Sequence, residues 1–161
     1  MFLNKMMSRE ACVERYGPID IASNAWPDAP KWMAMFEVPV GVFQDFTIMQ
    51  TKIPVRHIAC NRDILLPLRQ AFDLIVNRGL ASQLRTYDGC QILRCVRGDP
   101  GLFSAHCYAL ATDFNAATNP LGLPGDMSDE LGACFVESGF DCGRNFSRRD
   151  DQHFSFCFEG R

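Results

Sequence analysis

Ser104-Ala-His106-Cys-Tyr-Ala-Leu-Ala-Thr-Asp113 carries two metal-ligating residue types seven positions apart. Beyond Tyr108 the segment alternates, with Leu110, Thr112 and Phe114 on one face and Ala111, Asp113 and Asn115 on the other. Successive side chains of a strand point to opposite faces, so this period of two predicts a strand with one buried face. The small Ala111 beside Asp113 leaves room on the polar face for a metal ion and a substrate.

A second alternating stretch lies near the end of the printed sequence. In residues 153–158 one face carries Phe154, Phe156 and Phe158, and the other carries His153, Ser155 and Cys157. The aromatic face is expected to be buried, which would fix His153 firmly against the core. Asp150 precedes His153 by three residues and is close enough to face the same pocket.

The other segments indicate a mixture of helices and strands. Periodicity and stop signals predict helices over 8–16, 63–78 and 128–138, strands or a hairpin within 32–53, and a strand over 80–87 followed by the turn Asp88-Gly89. Strands do not alternate regularly with helices, so a parallel βαβ sheet is not predicted. The pattern favours an α+β fold with several antiparallel strands.

Composition excludes several classes of protein. The chain has 161 residues, of which 47% are hydrophobic and 22% charged, as in a globular domain with its own core. Its net charge of −3 makes nucleic acid an unfavourable partner. No apolar run reaches the ~18 residues of a membrane span, and no secretion signal precedes the helix at 8–16. Synthesis in a cytoplasm is therefore expected.

Eight cysteines are present, and none of them forms a CxxC pair. A zinc ribbon or a thioredoxin-like motif is therefore not expected. Without a secretion signal, free and mostly buried thiols are favoured. Cys90 and Cys95 are close enough in sequence for a disulfide, and that alternative stays open.

The histidines limit what a metal site can use. A catalytic zinc ion takes three protein ligands, and the whole chain has only three histidines. With so few histidines, a carboxylate or a thiolate is expected to complete the set. Taken singly, each candidate has an ordinary structural interpretation. His153 would be a hydrogen-bonded surface residue, and Asp113 would belong to a turn. Asp150 would belong to a solvated charge cluster with Asp151, Arg148 and Arg149.

Together the two stretches resemble the LAS-type zinc peptidases, the family of D-Ala-D-Ala carboxypeptidases and L-alanyl-D-glutamate endopeptidases. Residues 104–113 are similar to its motif S-x-H-x-x-G-x-A-x-D, and residues 150–154 are similar to its closing D/E-x-x-H motif, often followed by Phe. Residues 89–98, with Arg94 and Arg97, resemble its arginine-bearing approach to the first motif. The similarity covers residues 55–161, and only loosely the first 50.

The resemblance implies a small antiparallel sheet flanked by helices, the zinc fold shared by D-Ala-D-Ala peptidases and hedgehog proteins. It implies one zinc peptidase domain over residues 1–161, with a helix and a loop or strand segment at 1–50 and the metal-binding core at 55–161. The implied Zn²⁺ ligands are His106, Asp113 and His153. Asp150 would be the catalytic base, Arg94 the catalytic cation with Arg97 behind it at the substrate, and Ser104 a substrate-binding hydroxyl.

The chain departs from the family at Ala109, where the motif has Gly, at Cys142, where Trp is expected, and at Arg144, where a second Gly is common. These changes leave the metal ligands in place and bear on the shape of the substrate cleft. Cys107 is interpreted as core, because neighbouring side chains of an extended segment face opposite ways. His57 matches no motif and is interpreted as structural.

The implied activity is zinc-dependent cleavage of bacterial peptidoglycan stem peptides. A small domain without a secretion signal resembles a phage endolysin, released to the wall through a holin, which favours an L-alanyl-D-glutamate endopeptidase acting as a monomer. A D-Ala-D-Ala carboxypeptidase or dipeptidase is the alternative enzyme. A non-catalytic zinc-containing wall-binding or virion module, or an unrelated soluble domain, also stays open.

Overall fold

A computed structural model describes residues 7–23, 25, 29–39 and 41–157 of this chain. Its helices are α1 Arg9–Tyr16, α2 Ala29–Trp32, α3 Leu65–Asn77 and α4 Asp129–Glu137. Its strands are β1 Met33–Glu37, β2 Thr47–Ile48, β3 His57–Asn61, β4 Thr86–Gly89, β5 Cys95–Val96, β6 Asp99–Phe103, β7 Ala111–Phe114, β8 Asp141–Cys142 and β9 His153–Ser155. Short 3₁₀ turns cover Arg62–Ile64, Ala81–Gln83, Ala105–Tyr108, Ala116–Thr118 and Gly143–Asn145.

The main sheet has five strands in the order β2-β4-β7-β9-β8. Its pairs are antiparallel except for β2 with β4, which run parallel. The pairs β1 with β3 and β5 with β6 form two further antiparallel ribbons. The α+β prediction is confirmed at the level of mixed helices and small sheets, and β7 occupies the centre of the main sheet.

The predicted helices agree with the structure. Ser8 caps α1 by accepting a hydrogen bond from the Ala11 N–H, and Gly17 ends that helix at φ 87°. Ser128 caps α4 in the same way through the Leu131 N–H. The predicted helix over 63–78 begins as a 3₁₀ turn and continues as α3, with Pro67 in its first turn.

The strand predictions were correct in part. Residues 32–53 contain the short strands β1 and β2, but these do not form a hairpin, because β1 pairs with β3 and β2 pairs with β4. Residues 81–83 form a 3₁₀ turn, and Asp88-Gly89 lies within β4, where Gly89 at φ 127° takes part in a bulge rather than a turn. In both cases the partner strand, which is remote in sequence, decides the local conformation. Phe158, predicted on the last strand, lies outside the described residues.

The core fixes the two strands that carry the site. Phe114 on β7 and Phe154 on β9 are fully buried and both pack against Phe135 of α4, with ring centroids 5.2 and 4.2 Å from it. Burying several aromatic rings supplies a large hydrophobic stabilisation. The alternating pattern of β7 and β9 therefore leaves their other face available for polar side chains.

All eight cysteines lie in the described part of the chain, and none forms a disulfide, so the Cys90–Cys95 bridge is absent. Cys107 is buried, as expected of a core residue. Within the described ranges, no helix combines the length and apolar character needed to cross a bilayer.

Ala109 adopts a left-handed conformation, with φ 51° and ψ 34°, at the end of the 3₁₀ turn that carries His106. Its N–H donates to the His106 carbonyl, and its own carbonyl accepts from the Asn61 N–H, so the conformation is held by the surrounding backbone. Glycine adopts such angles without steric cost, whereas alanine pays roughly 1–2 kcal/mol. Ala109 therefore adopts a conformation that favours glycine, the residue that the resembled motif has at this position.

We expect Ala109→Gly to lower the unfolding free energy less than Ala111→Gly, by about 1–2 kcal/mol, because only the first relieves left-handed strain. Both substitutions delete one fully buried methyl group, so Ala111 is a matched control. Denaturant unfolding of the two variants measures the difference. Equal losses would show that Ala109 is not strained.

Candidate metal centre

His106 is presented by the 3₁₀ turn Ala105–Tyr108. Ser104 caps this turn, with its hydroxyl 3.4 Å from the His106 N–H. The imidazole is fully buried, and its Nδ1 lies 2.8 Å from the carbonyl oxygen of Cys90. A carbonyl only accepts, so Nδ1 carries a proton, and Nε2 is the ring nitrogen that faces the site and could bind a metal ion. A backbone carbonyl thus fixes the tautomer that a metal ligand needs.

Asp113 and His153 are placed by sheet register. They face each other as a pair across β7 and β9, so their side chains leave the sheet on the same face. On its other side, Asp113 pairs with Gly89 of β4. A slip of one residue between β7 and β9 would turn one of the two side chains into the aromatic core.

Three ligand atoms converge at this face of the sheet. His106 Nε2 lies 3.2 Å from His153 Nδ1 and 3.3 Å from Asp113 Oδ1, and His153 Nδ1 lies 2.9 Å from the same oxygen. The side-chain exposures of His106, Asp113 and His153 are only 0, 14 and 4%. The structure therefore brings together the three predicted ligands, which come from separate segments of the chain.

The triangle is close to the size that a tetrahedral metal ion needs. Zinc binds nitrogen and oxygen ligands at about 2.0–2.2 Å, so two ligands of a tetrahedral set lie about 3.3–3.6 Å apart. The observed separations of 2.9, 3.2 and 3.3 Å reach the lower end of that range or fall slightly below it, so binding an ion would move the ligands slightly apart. Burial opposes ionisation of Asp113, but the imidazoles of His106 and His153 outweigh it, and the pKa of this carboxyl lies well below its usual range. The carboxylate is therefore charged and ready to bind a cation. Two imidazoles and one carboxylate suit zinc, and would also accept iron, manganese or cobalt.

The structure separates the two neighbouring aspartates. Asp150 lines the cavity beside Asp113 and His153, and its Oδ1 is buried with no hydrogen-bond partner among the described residues. Burial raises the pKa of Asp150, helped by Asp113 and opposed by His153 and Arg97. Asp151 is fully buried and accepts two hydrogen bonds from Arg149, at 2.6 and 2.7 Å. Of the two aspartates, only Asp150 lines the cavity.

A cavity of about 320 Å³ opens over the ligands. The lining residues are Arg9, Arg94, Val96, Arg97, Asp99, Leu102, Ser104, Asp113, Leu121, Phe146, Ser147, Arg148, Asp150, Gln152 and His153. All the remaining predicted site residues, Arg94, Arg97, Ser104 and Asp150, are among them. The Ser104 hydroxyl also caps the His106 turn, so both roles considered for it are compatible with its position.

The backbone of Arg94 is tied to the turn that carries His106. The Arg94 carbonyl accepts from the Cys107 thiol at 3.1 Å and from the Ser104 N–H at 3.1 Å. The neighbouring Ile92 N–H donates to the His106 carbonyl. Cys107 thus holds a cavity wall in place and does not take part in the ligand triangle. His57 is exposed at the start of β3 and also lies outside the triangle.

The departures near residue 143 surround the site and leave its ligands intact. Cys142 is buried on β8 opposite Phe154. Arg144 pairs with Asp129 and lies 3.6 Å from Asp151, so it braces the loop before β9. Gly143 is required by close approach, because a Cβ there would collide with the Asp150 carbonyl oxygen and lie 3.1 Å from the Cβ of His153.

Sequence reasoning missed several residues that line the cavity, and three of them add a positive charge or an aromatic ring. Arg9 comes from α1, outside both motifs, and Phe146 packs its ring 5.8 Å from that of His153. Arg148 was interpreted as part of a solvated charge cluster. Its position two residues before Asp150 was the available signal, because a side chain so close to a candidate base is apt to reach the same cavity.

Residues 97–156 match the family model described as D-alanyl-D-alanine carboxypeptidase. The resemblance stated from the two motifs is confirmed over that range, which contains the ligand triangle and Asp150. The match supports a metallopeptidase acting on substrates of the peptidoglycan type. No curated protein and no solved structure gives a significant match to this chain.

We expect Gly143→Ala to weaken zinc binding at least about tenfold, because the added methyl displaces the loop that positions His153, and disturbed ligand support typically costs 10–100-fold. Gly132→Ala is the matched control, since nothing lies within 4 Å of a Cβ at that position in α4. The control should bind zinc normally and unfold at a higher temperature. Competition with a chromogenic chelator gives both affinities, and equal values would contradict the packing argument.

Proposed function

We propose that this chain is a zinc-dependent peptidoglycan hydrolase that cleaves stem peptides, and that it hydrolyses the amide bond between L-alanine and D-glutamate. The observation that carries the proposal is the buried triangle of His106, Asp113 and His153 with Asp150 beside it in one open cavity. A phage-type endolysin, which lyses the host cell after a holin opens the membrane, is the biological role we propose for it.

The triangle would hold the zinc ion. When bound, the ion supplies a Lewis acid that polarises the scissile carbonyl and makes water more acidic. His106 and His153 stay neutral as ligands, and the Cys90 carbonyl keeps the His106 ring oriented. Asp113 contributes the negative charge that a divalent ion requires.

Asp150 is the proton carrier in this proposal. Its carboxylate, which lines the cavity, accepts a proton from the attacking water and passes it to the leaving amine, so one carboxylate serves as base and then as acid. The guanidinium of Arg94, in the same cavity, stabilises the negative charge that develops on the carbonyl oxygen. Ser104 and Arg97 bind polar groups of the peptide.

A D-Ala-D-Ala carboxypeptidase is the second candidate. The description of the matched family model favours it, because that activity is the one the description names. A carboxypeptidase would use the same residues as the endopeptidase. The two activities would differ in which peptide bond of the substrate the cavity places next to the metal ligands. A non-catalytic wall-binding or virion module remains the alternative of another class.

We expect Asp150→Asn to lower kcat/KM on purified sacculi by about 10²–10⁴-fold while one zinc ion per chain is retained, because the amide cannot accept the proton. Asp73→Asn, on the exposed face of α3, makes the same change of charge and should leave the rate unchanged. Metal analysis, chelation and zinc re-addition belong to the same assay. A zinc-loaded parent protein that hydrolyses nothing would instead favour the binding module.

Mass analysis of digested muropeptides identifies the bond. Cleavage between L-alanine and D-glutamate should leave the glycan carrying a single alanine and release a peptide that begins with D-glutamate. Loss of the terminal D-alanine alone would reject the endopeptidase and establish the carboxypeptidase. Lysis of intact cells from outside, measured by turbidity, tests the endolysin role separately.

A further inference from the structure

Two groups stand out among the described arginines of this chain. Five of those described form ion pairs with carboxylates and do not line the cavity: Arg15, Arg78, Arg85, Arg144 and Arg149. Four line the cavity and form no ion pair with a described carboxylate: Arg9, Arg94, Arg97 and Arg148. Four of the seven described arginines that form no ion pair with a described carboxylate thus line the cavity, and the other three, Arg56, Arg62 and Arg69, lie elsewhere.

The charge of the cavity calls for an anionic ligand. Its four guanidinium groups face three carboxylates, Asp99, Asp113 and Asp150. Asp113 is committed to the ligand triangle, and a divalent ion would add two further positive charges. Such an excess of positive charge attracts a ligand with more than one negative group. One cation at the carbonyl oxygen, the role proposed for Arg94, does not account for the others.

Arg148 is the cation best held for a second anion. It lies in the loop between Phe146 and Asp150, and all three residues line the cavity. The loop is fixed by its neighbours: Arg149 binds Asp151, and the Arg149 carbonyl accepts from the Gly122 N–H at 2.7 Å. The Arg148 side chain is exposed and, unlike that of Arg149, is not paired with a described carboxylate. A rigid backbone therefore carries a guanidinium that is available to a ligand.

We propose that Arg148 is a specificity-determining residue that binds a free carboxylate of the substrate next to the scissile amide. The inference rests on the proposed function and names the substrate class more closely. In a γ-linked D-glutamyl peptide the α-carboxylate stays free, beside the bond to L-alanine. A guanidinium binds such a group through two parallel hydrogen bonds, which gives both affinity and orientation.

The test compares two synthetic peptides, L-alanyl-γ-D-glutamyl-L-lysine and the same peptide with its D-glutamyl α-carboxylate converted to the primary amide. The zinc-loaded parent protein should prefer the free acid. Arg148→Gln should lower kcat/KM on the acid by about 10–100-fold and on the amide by less than about threefold, because only the acid loses a charge-assisted hydrogen bond. The kcat/KM of Arg148→Lys on the acid should lie between that of the parent protein and that of Arg148→Gln.

Arg56→Gln is the matched control, since Arg56 is exposed and does not line the cavity, and both rates should stay unchanged. Equal losses on the acid and the amide, or no loss on either, would overturn the role of Arg148. Failure of the parent protein to hydrolyse either peptide or sacculi would overturn the proposed function itself. Parent activity on both peptides at the same rate would overturn only the inference about the carboxylate.

Discussion

The register between β7 and β9 is the constraint on which the site depends. It sets Asp113 opposite His153, and the turn before β7 adds His106, so that three ligand atoms meet within 3.3 Å. The opposite face of both strands packs Phe114 and Phe154 against α4. Hydrophobic burial on one face therefore stabilises a polar cluster on the other, and neither can shift without the other.

Much of this arrangement could be predicted from the sequence, because its signals are local. The alternation of apolar and polar residues shows which face of β7 and β9 each residue occupies. The N-cap of α4, Ser128, directly precedes the helix that it begins. The pairing of β1 with β3 could not be predicted, since nothing within residues 32–53 encodes a partner at 57–61. The Cys90 carbonyl that orients His106 is a backbone group, and side-chain identity says nothing about it.

The run Arg148-Arg-Asp-Asp151 shows where sequence reasoning reaches its limit. Four consecutive charges look alike in sequence, yet the fold gives them different surroundings. Arg149 and Asp151 neutralise each other and anchor the loop, while Arg148 and Asp150 line the cavity. The ion pair of Arg149 with Asp151 thus fixes the loop, and the fixed loop holds Arg148 and Asp150 at the cavity beside the ligand triangle. Only the three-dimensional path of the loop distinguishes these roles.

The surroundings of Asp150 also bear on whether the site is catalytic. A shielded carboxylate oxygen without a hydrogen-bond partner costs stability, and hydrophobic or amide side chains would fill the same space at lower cost. A module that only bound the wall would gain nothing from that cost, whereas a hydrolase needs a carboxylate base in the cavity beside its metal ligands. Ala109 and Arg144 are consistent with this view, because the backbone keeps the left-handed angle of a glycine at the first and the second braces the loop that carries Asp150. The departures from the family motif therefore leave the ligand triangle and Asp150 in place and alter only their surroundings.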